Sequence, residues 1–331
     1  MKKLILLLVA ALLALPGPAL AEGERVAIIC DAVEGNAFLS QTVEKVEGLK
    51  DVFGYELSVL ECPDETSWTR SYISAADAGC ELIIGVGRQA AAHAAAMAEE
   101  RPEGIALAVI DADAGSEGVA SYVYSAEQTA YVLGVLAAEA FPEATRFGYL
   151  GCFEDTETWP SRWGFLEGLR SVRPEAELAC AYTEGDPDRA GALADELAGG
   201  GCPFIFGAAA AGNAGLFEAA KASLDAGRPF YVTGQDADPT APDNPCVLSA
   251  QLKNGGVTAA FIIDNFYAGT LVPGLTVLDM ASGTIGVTHV TSEGAWRNEE
   301  ILTDAVLKRC QVVASRISDG ELLLIVPDPA Q

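Results

Sequence analysis

The sequence predicts an α/β protein built as two doubly wound parallel-sheet lobes joined by a hinge. Three observations predict it. Short β-rich apolar runs alternate with longer Ala/Leu/Glu segments of helical period, the alternation occurs twice in one order, and single residues recur at matching places in the two passes. Alternating strand and helix patterns are the signature of βαβ units, because a crossover helix returns the chain to the sheet end from which the next strand runs parallel.

In the first pass, the apolar runs Val26–Cys30, Leu57–Glu61, Leu82–Gly85 and Ala106–Ile110 read as strands. The helical periods between them cover Ala37–Val52, Ser67–Ala78 and Gln89–Glu100. A fifth strand, Val119–Val123, leads into a long helix over Ala126–Ala140. In the second pass, strands fall at Phe147–Gly151, Leu178–Tyr182, Phe204–Gly207 and Phe230–Thr233. Helices run near Trp163–Val172, Arg189–Ala198 and Ala214–Asp225, and another near Thr303–Ile317. The expected division is a leader over 1–21, one lobe from 22–142 plus about 250–285, and the other from 143–249 plus about 286–331.

The repeat extends to single residues. Cys30 and Cys152 follow the first strand of their pass, Cys62 and Cys180 close the second, and Cys80 and Cys202 precede the third after Gly79 and Gly201. Asp111 and Asp236 follow the fourth. This recurrence predicts disulfides Cys62–Cys80 and Cys180–Cys202, each closing a loop of about 20 residues and each worth roughly 3 kcal/mol in the chain-entropy model. Cys246 and Cys310 are left open, paired or free.

The N-terminus predicts export. Lys2 and Lys3 precede an apolar run of 12 residues, Leu4 to Leu15, which Pro16-Gly17-Pro18 breaks before the small-x-small site Ala19-Leu20-Ala21. A membrane span needs about 20 apolar residues, so this run reads as a cleavable signal peptide. No cysteine stands at the cleavage point to carry a lipid. The expected compartment is a periplasm, where disulfides are the default. A net charge of −27 repels phosphate backbones and argues against nucleic acid as a partner. Two lobes facing each other put the carboxyl ends of two sheets around one cleft, which a hinge can close over a ligand.

Several segments in order carry a family resemblance. They are Leu82-Ile83-Ile84-Gly85-Val86-Gly87, the stretch Glu127 to Ala138, Gly185-Asp186-Pro187, Gly215 to Lys221, and Gly234-Gln235-Asp236-Ala237-Asp238. The chain resembles the basic membrane protein family of substrate-binding proteins, from about Arg25 to His289. The resemblance implies a type I periplasmic binding protein fold and capture of a purine nucleoside for an ABC importer. By position it implies that Phe38 stacks on the base, that Asp236 and Lys253 hold ribose hydroxyls, and that Asp31 and Asp111 face the cleft. It further implies that the Gly207 to Asn213 loop meets the ligand through its backbone.

The first loop, Asp31 to Gln41, is shorter than the family pattern, lacks a second acid and has Leu39 where a base-reading Asn belongs. The later Gly-Gly is Ala210-Ala211. Both departures fall on base recognition, so the ligand is expected to be a nucleoside or a related small polar aromatic molecule. Each residue also has an ordinary reading. Phe38 and the pair Trp159 and Trp163 are apolar residues at helical spacing that fit a core, while Asp236 and Asp238 are turn formers in a Pro-rich loop. The ligand reading has its own physics, since an aromatic face on a base contributes roughly 1–3 kcal/mol and carboxylates make charge-assisted bonds to a diol. Trp163 is the candidate for the second side of an aromatic sandwich.

Gly85-Val86-Gly87 lacks the third glycine of a dinucleotide loop. With His93 and His289 in separate contexts and no nucleophile beside a base, no metal, cofactor or enzymatic reaction is expected. The expected partner is an ABC permease, and the expected state a monomer. Two alternatives stay open: a sensing module of the same fold that docks on a signalling receptor, and a binding protein for a sugar or amino acid. Residues beyond about Thr291, with Trp296, are expected to make a docking surface or cover the hinge.

Overall fold

The computed structural model describes residues 24–329 except 101–103, so the leader read at 1–21 lies outside the described residues. The chain begins with β1 (Arg25–Cys30), α1 (Ala37–Phe53), β2 (Glu56–Glu61), α2 (Glu65–Asp77), β3 (Leu82–Val86), α3 (Arg88–Glu99), β4 (Ala106–Ile110) and β5 (Ala120–Tyr124). It continues through α4 (Ala126–Ala140), β6 (Arg146–Gly151), α5 (Trp159–Val172), β7 (Glu177–Tyr182), α6 (Pro187–Gly199), β8 (Phe204–Ala208), α7 (Asn213–Asp225) and β9 (Tyr231–Asp236). Beyond these lie β10 (Val247–Lys253), α8 (Gly255–Tyr267), β11 (Gly274–Leu278), β12 (Ile285–Val287) and α9 (Asp304–Ser318).

Two sheets result. The first has the order β11-β5-β4-β3-β1-β2 and is parallel throughout. The second, β12-β10-β9-β8-β6-β7, repeats that order and is parallel except for β12, which runs against β10. Both are doubly wound, as the sequence predicts. The central strands are unbroken apolar runs because helices cover both faces; β3 and β8 are buried along their whole length.

The chain crosses between the sheets at Ser125, at Asn254 and over 279–284. These crossings are bonded together: Ser125 N donates to Leu278 O at 2.9 Å, and Asn254 N to Thr284 O at 2.8 Å. α4 packs on the second sheet, with Ala130 to Ala138 in one core with Phe147, Phe165 and Phe204. α8 returns to the first sheet, where Ile262 and Ile263 share a core with Val43 and Val46 of α1. α9 covers α4, pinned by Arg309 to Glu139 at 2.9 Å.

α4 and α5 meet backbone to backbone. A Cβ on Gly168 would stand 2.0 Å from Tyr131 O, one on Gly164 2.3 Å from Glu127 O, and one on Gly134 2.2 Å from Phe165 O. Only glycine permits that approach, and the close fit makes the helix pair one rigid unit. Glycines also explain why α8 is not evident in the sequence. Gly255 and Gly256 are poor helix formers, yet a Cβ on Gly255 would meet Thr42 Oγ1 at 2.1 Å, so their absent side chains let α8 settle on α1.

The predicted disulfides are corrected by the topology. All eight cysteines are free thiols. Between β2 and β3 lies β1, and between β7 and β8 lies β6, so each proposed pair spans two strand spacings, about 9.5 Å. A disulfide needs a Cα separation of roughly 4.4–6.8 Å. Cys62 and Cys80 also sit at opposite ends of their strands: Cys62 N donates to Cys30 O after β1, while Glu81, next to Cys80, donates to Arg25 O at its start. Cys180 lies within β7 rather than at its end, opposite Tyr149. Burial pushes the Cys30 and Cys310 thiols up to about 12, which keeps them protonated and unreactive.

Candidate functional site

The carboxyl ends of both sheets point to one region, and three of the sequence-predicted residues meet there. Asp111 follows β4, and Asp236 ends β9 in the second sheet. Both hold left-handed backbone, with φ of 64° and 72°. Such a conformation is uncommon for a residue other than glycine and turns each carboxylate out of its strand. Lys253 ends β10, beside Asp236 in register, with Leu252 opposite it. Its Nζ donates to Asp111 Oδ1 at 3.0 Å and Oδ2 at 2.9 Å.

All three residues are half-buried. Burial pushes the Asp236 carboxyl up to about 6; the Asp111 charge adds to this, while Lys253 and a hydrogen bond from Gln235 act against it. Burial would depress the Lys253 ammonium, but the carboxylates of Asp111 and Asp236 outweigh it and raise it. Two carboxylates thus share one ammonium. Lys253 is held from behind, where Gln41 Nε2 donates to its carbonyl at 2.8 Å. Tyr124, at the end of β5, lies beneath the ammonium with Nζ 5.7 Å from its ring centroid, and its hydroxyl bonds Thr258 Oγ1 at 2.8 Å.

Phe38 enters this group through Tyr124, which it meets edge-on at 6.2 Å between centroids. α1 starts there because Asn36 caps it, accepting from Leu39 N at 3.1 Å. The Phe38 ring is 6% exposed and lies against Gly255. Leu39 is buried beside it at 4%.

The remaining candidates are held by other contacts. Asp31 is exposed beyond β1. Trp163 is partly buried on α5. Gly207 is packed inside β8, and Asn213 closes the loop behind it: Nδ2 donates to Gly207 O and Oδ1 accepts from Ala209 N, both at 3.2 Å. Sequence reasoning missed Tyr124, Gln41, Arg88, Asp155 and Glu157. Arg88 had a signal, because it follows Gly85-Val86-Gly87; Gly87 has φ of 88° and turns β3 into α3. Two cavities, of about 1130 and 1180 Å³, lie under the loop 289–300 and at the amino end of the second sheet, and neither contains any residue named for the cluster.

What the arrangement can do is bind. Two carboxylates and an ammonium beside an aromatic ring accept and donate to vicinal hydroxyls, and no nucleophile with an adjacent base accompanies them among the described residues.

Comparison with known proteins agrees with this architecture. The nucleoside-binding protein BmpA of an ABC transporter in Lactococcus lactis is 24% identical over 300 residues, covering 85% of this chain and 81% of that one. Basic membrane protein B of Borreliella afzelii is 25% identical, covering 80% of this chain and 81% of its own. Among solved structures, a solute-binding protein of an Aeropyrum pernix ABC transporter superposes with a TM-score of 0.80 at 18% identity, covering 93% of this chain and 95% of that one. A family profile described as ABC transporter substrate-binding protein, PnrA-like, matches residues 24–320. The chain belongs to that family, Bmp, and is an ABC transporter substrate-binding protein.

Proposed function

We propose that the cleft between the two sheets binds a nucleoside or a related small polar aromatic solute, which the chain, exported and monomeric, delivers to an ABC permease. The observation that carries this reading is the Asp111–Lys253–Asp236 cluster beside the ring of Tyr124. In this reading Asp236 and Asp111 accept from a sugar diol, Lys253 donates to it, and Phe38 and Tyr124 flank the base. Trp163, Asp31 and the loop from Gly207 to Asn213 face it from the cleft walls. The three crossings, at Ser125, Asn254 and 279–284, form the hinge. The relative named as a nucleoside-binding protein supports the ligand class. The buried Leu39, at the position of a base-reading amide, favours a ligand that differs from the standard purine nucleosides at the base. A thermal-shift panel of nucleosides, sugars and amino acids tests the reading. Stabilisation by nucleosides is the expected outcome, and stabilisation by sugars or amino acids alone replaces the ligand class.

A further inference from the structure

We propose that Arg88, Asp155 and Glu157 form a latch across the mouth of the cleft, which sets how long a bound ligand stays. The proposal rests on the reading of the cleft as the ligand site. Three of the ion pairs among the described residues join the halves of the molecule, at two places. One is Lys253–Asp111, beside the hinge crossing at Asn254; the other is Arg88 with Asp155 and Glu157. Arg88 opens α3 of the first half and reaches the loop between β6 and α5 of the second. Its Nη2 donates to Asp155 Oδ2 at 3.2 Å and to Glu157 Oε2.

The acidic arm is preset. Asp155 Oδ1 accepts from Thr158 N at 2.9 Å, Glu157 N at 3.1 Å and Thr158 Oγ1 at 3.1 Å, so its carboxylate is oriented before Arg88 arrives. The next residue is tied to the far end of the chain: Trp159 Nε1 donates to Pro327 O at 2.7 Å. The Arg162 guanidinium covers the Trp159 ring at 4.8 Å and is itself paired with Glu154 at 2.8 Å. An exposed loop with no catalytic task is therefore clamped at three points. The Glu157 charge also contributes to raising the Lys253 ammonium, after Asp111 and Asp236. Asp155 and Glu157 put two like charges on the second half's side of this contact, and Arg88 is the cation from the first half that both of them meet.

The side chains are partly solvated, at 61% exposure for Arg88, 27% for Asp155 and 55% for Glu157. Exposed pairs of this kind are weak and screened by salt, so they suit a contact that must open. The test uses small-angle scattering on the ligand-free chain and stopped-flow release of guanosine. Arg88→Glu is expected to enlarge the ligand-free particle and to speed guanosine release about three- to tenfold, within the range such pairs allow. Wild type in high salt is expected to move toward the variant. Arg88→Lys, and the swap Arg88→Glu with Glu157→Arg, are expected to restore the compact form. Removing residues beyond Val326 is expected to loosen it. The same particle size in all variants and at all salt concentrations overturns the latch. If wild type fails to bind guanosine, a standard purine nucleoside is lost as the ligand while the scattering still decides the latch. The high exposure of Arg88 keeps its variants folded, which circular dichroism checks.

Discussion

Lys253 grips both oxygens of Asp111, at 3.0 and 2.9 Å, although 142 positions separate the two residues and each ends a strand of a different sheet. The contact sits where the chain crosses at Asn254, so in the proposed reading it links ligand binding to the hinge. Replacing Lys253 by Met removes the shared cation and leaves two carboxylates facing each other. The variant is expected to lose about 2 kcal/mol of stability in denaturant titration, less than a fully buried pair loses because Asp111 keeps 29% exposure. It is also expected to lose the nucleoside-induced thermal shift.

Asp236 gives a pH-dependent signature. Its folded value of about 6 lies above its ordinary 3.8, so the folded protein holds the proton more tightly than the unfolded chain. Its contribution to stability is therefore fully present below about pH 4 and is lost as pH rises through about 6. Asp236→Asn removes the ionising group. At pH 7.5 the variant without ligand is expected to be more stable than wild type by about 2 kcal/mol. That gap should narrow as pH falls through about 6 and close below about pH 4 in paired thermal melts. A constant gap across this range refutes the assignment.

The glycine interface predicts a steep response to one methyl group. Gly168→Ala places a Cβ 2.0 Å from Tyr131 O, which is backbone and cannot rotate away. α5 must then shift from α4 at a cost of about 3 kcal/mol, the upper range for overpacking. Gly199→Ala, where nothing lies within 4 Å, is the control and should leave the melting temperature near wild type.

The free thiols predict a chemical count. In the folded protein a thiol reagent is expected to reach the exposed Cys180 first and the half-buried Cys152 next, while Cys30, Cys62, Cys80, Cys202, Cys246 and Cys310 are buried and react slowly. In denaturant without reductant, alkylation is expected to add eight groups by intact mass. Reductant should leave the melting temperature unchanged.

Periodicity carried most of the fold. The central strands are buried apolar runs, and the doubled order of strands and helices follows from the repeat. What stayed hidden had no local pattern. β12 is three residues long, β11 is an exposed edge strand, and α8 opens on two glycines whose value lies in contact with α1. The site divided along the same line. Asp111 and Asp236 were legible as strand ends, because a doubly wound sheet gathers function there. Lys253 was marked by family resemblance alone, since its meeting with Asp111 depends on the chain's return. The disulfides failed because recurrence in sequence records position along a strand, not the strand that lies between.

The late return of the chain also bears on how the protein is made. The first sheet waits for β11, from 274–278, and its core waits for α8, from 255–267. Until three quarters of the chain has emerged, β5 has an open edge and the flank of α1 that α8 covers is bare. Closure then depends on contacts distant in sequence, which form slowly. The half synthesised first is therefore completed only after most of the second has emerged, and a chain that delays folding in this way remains threadable for longer.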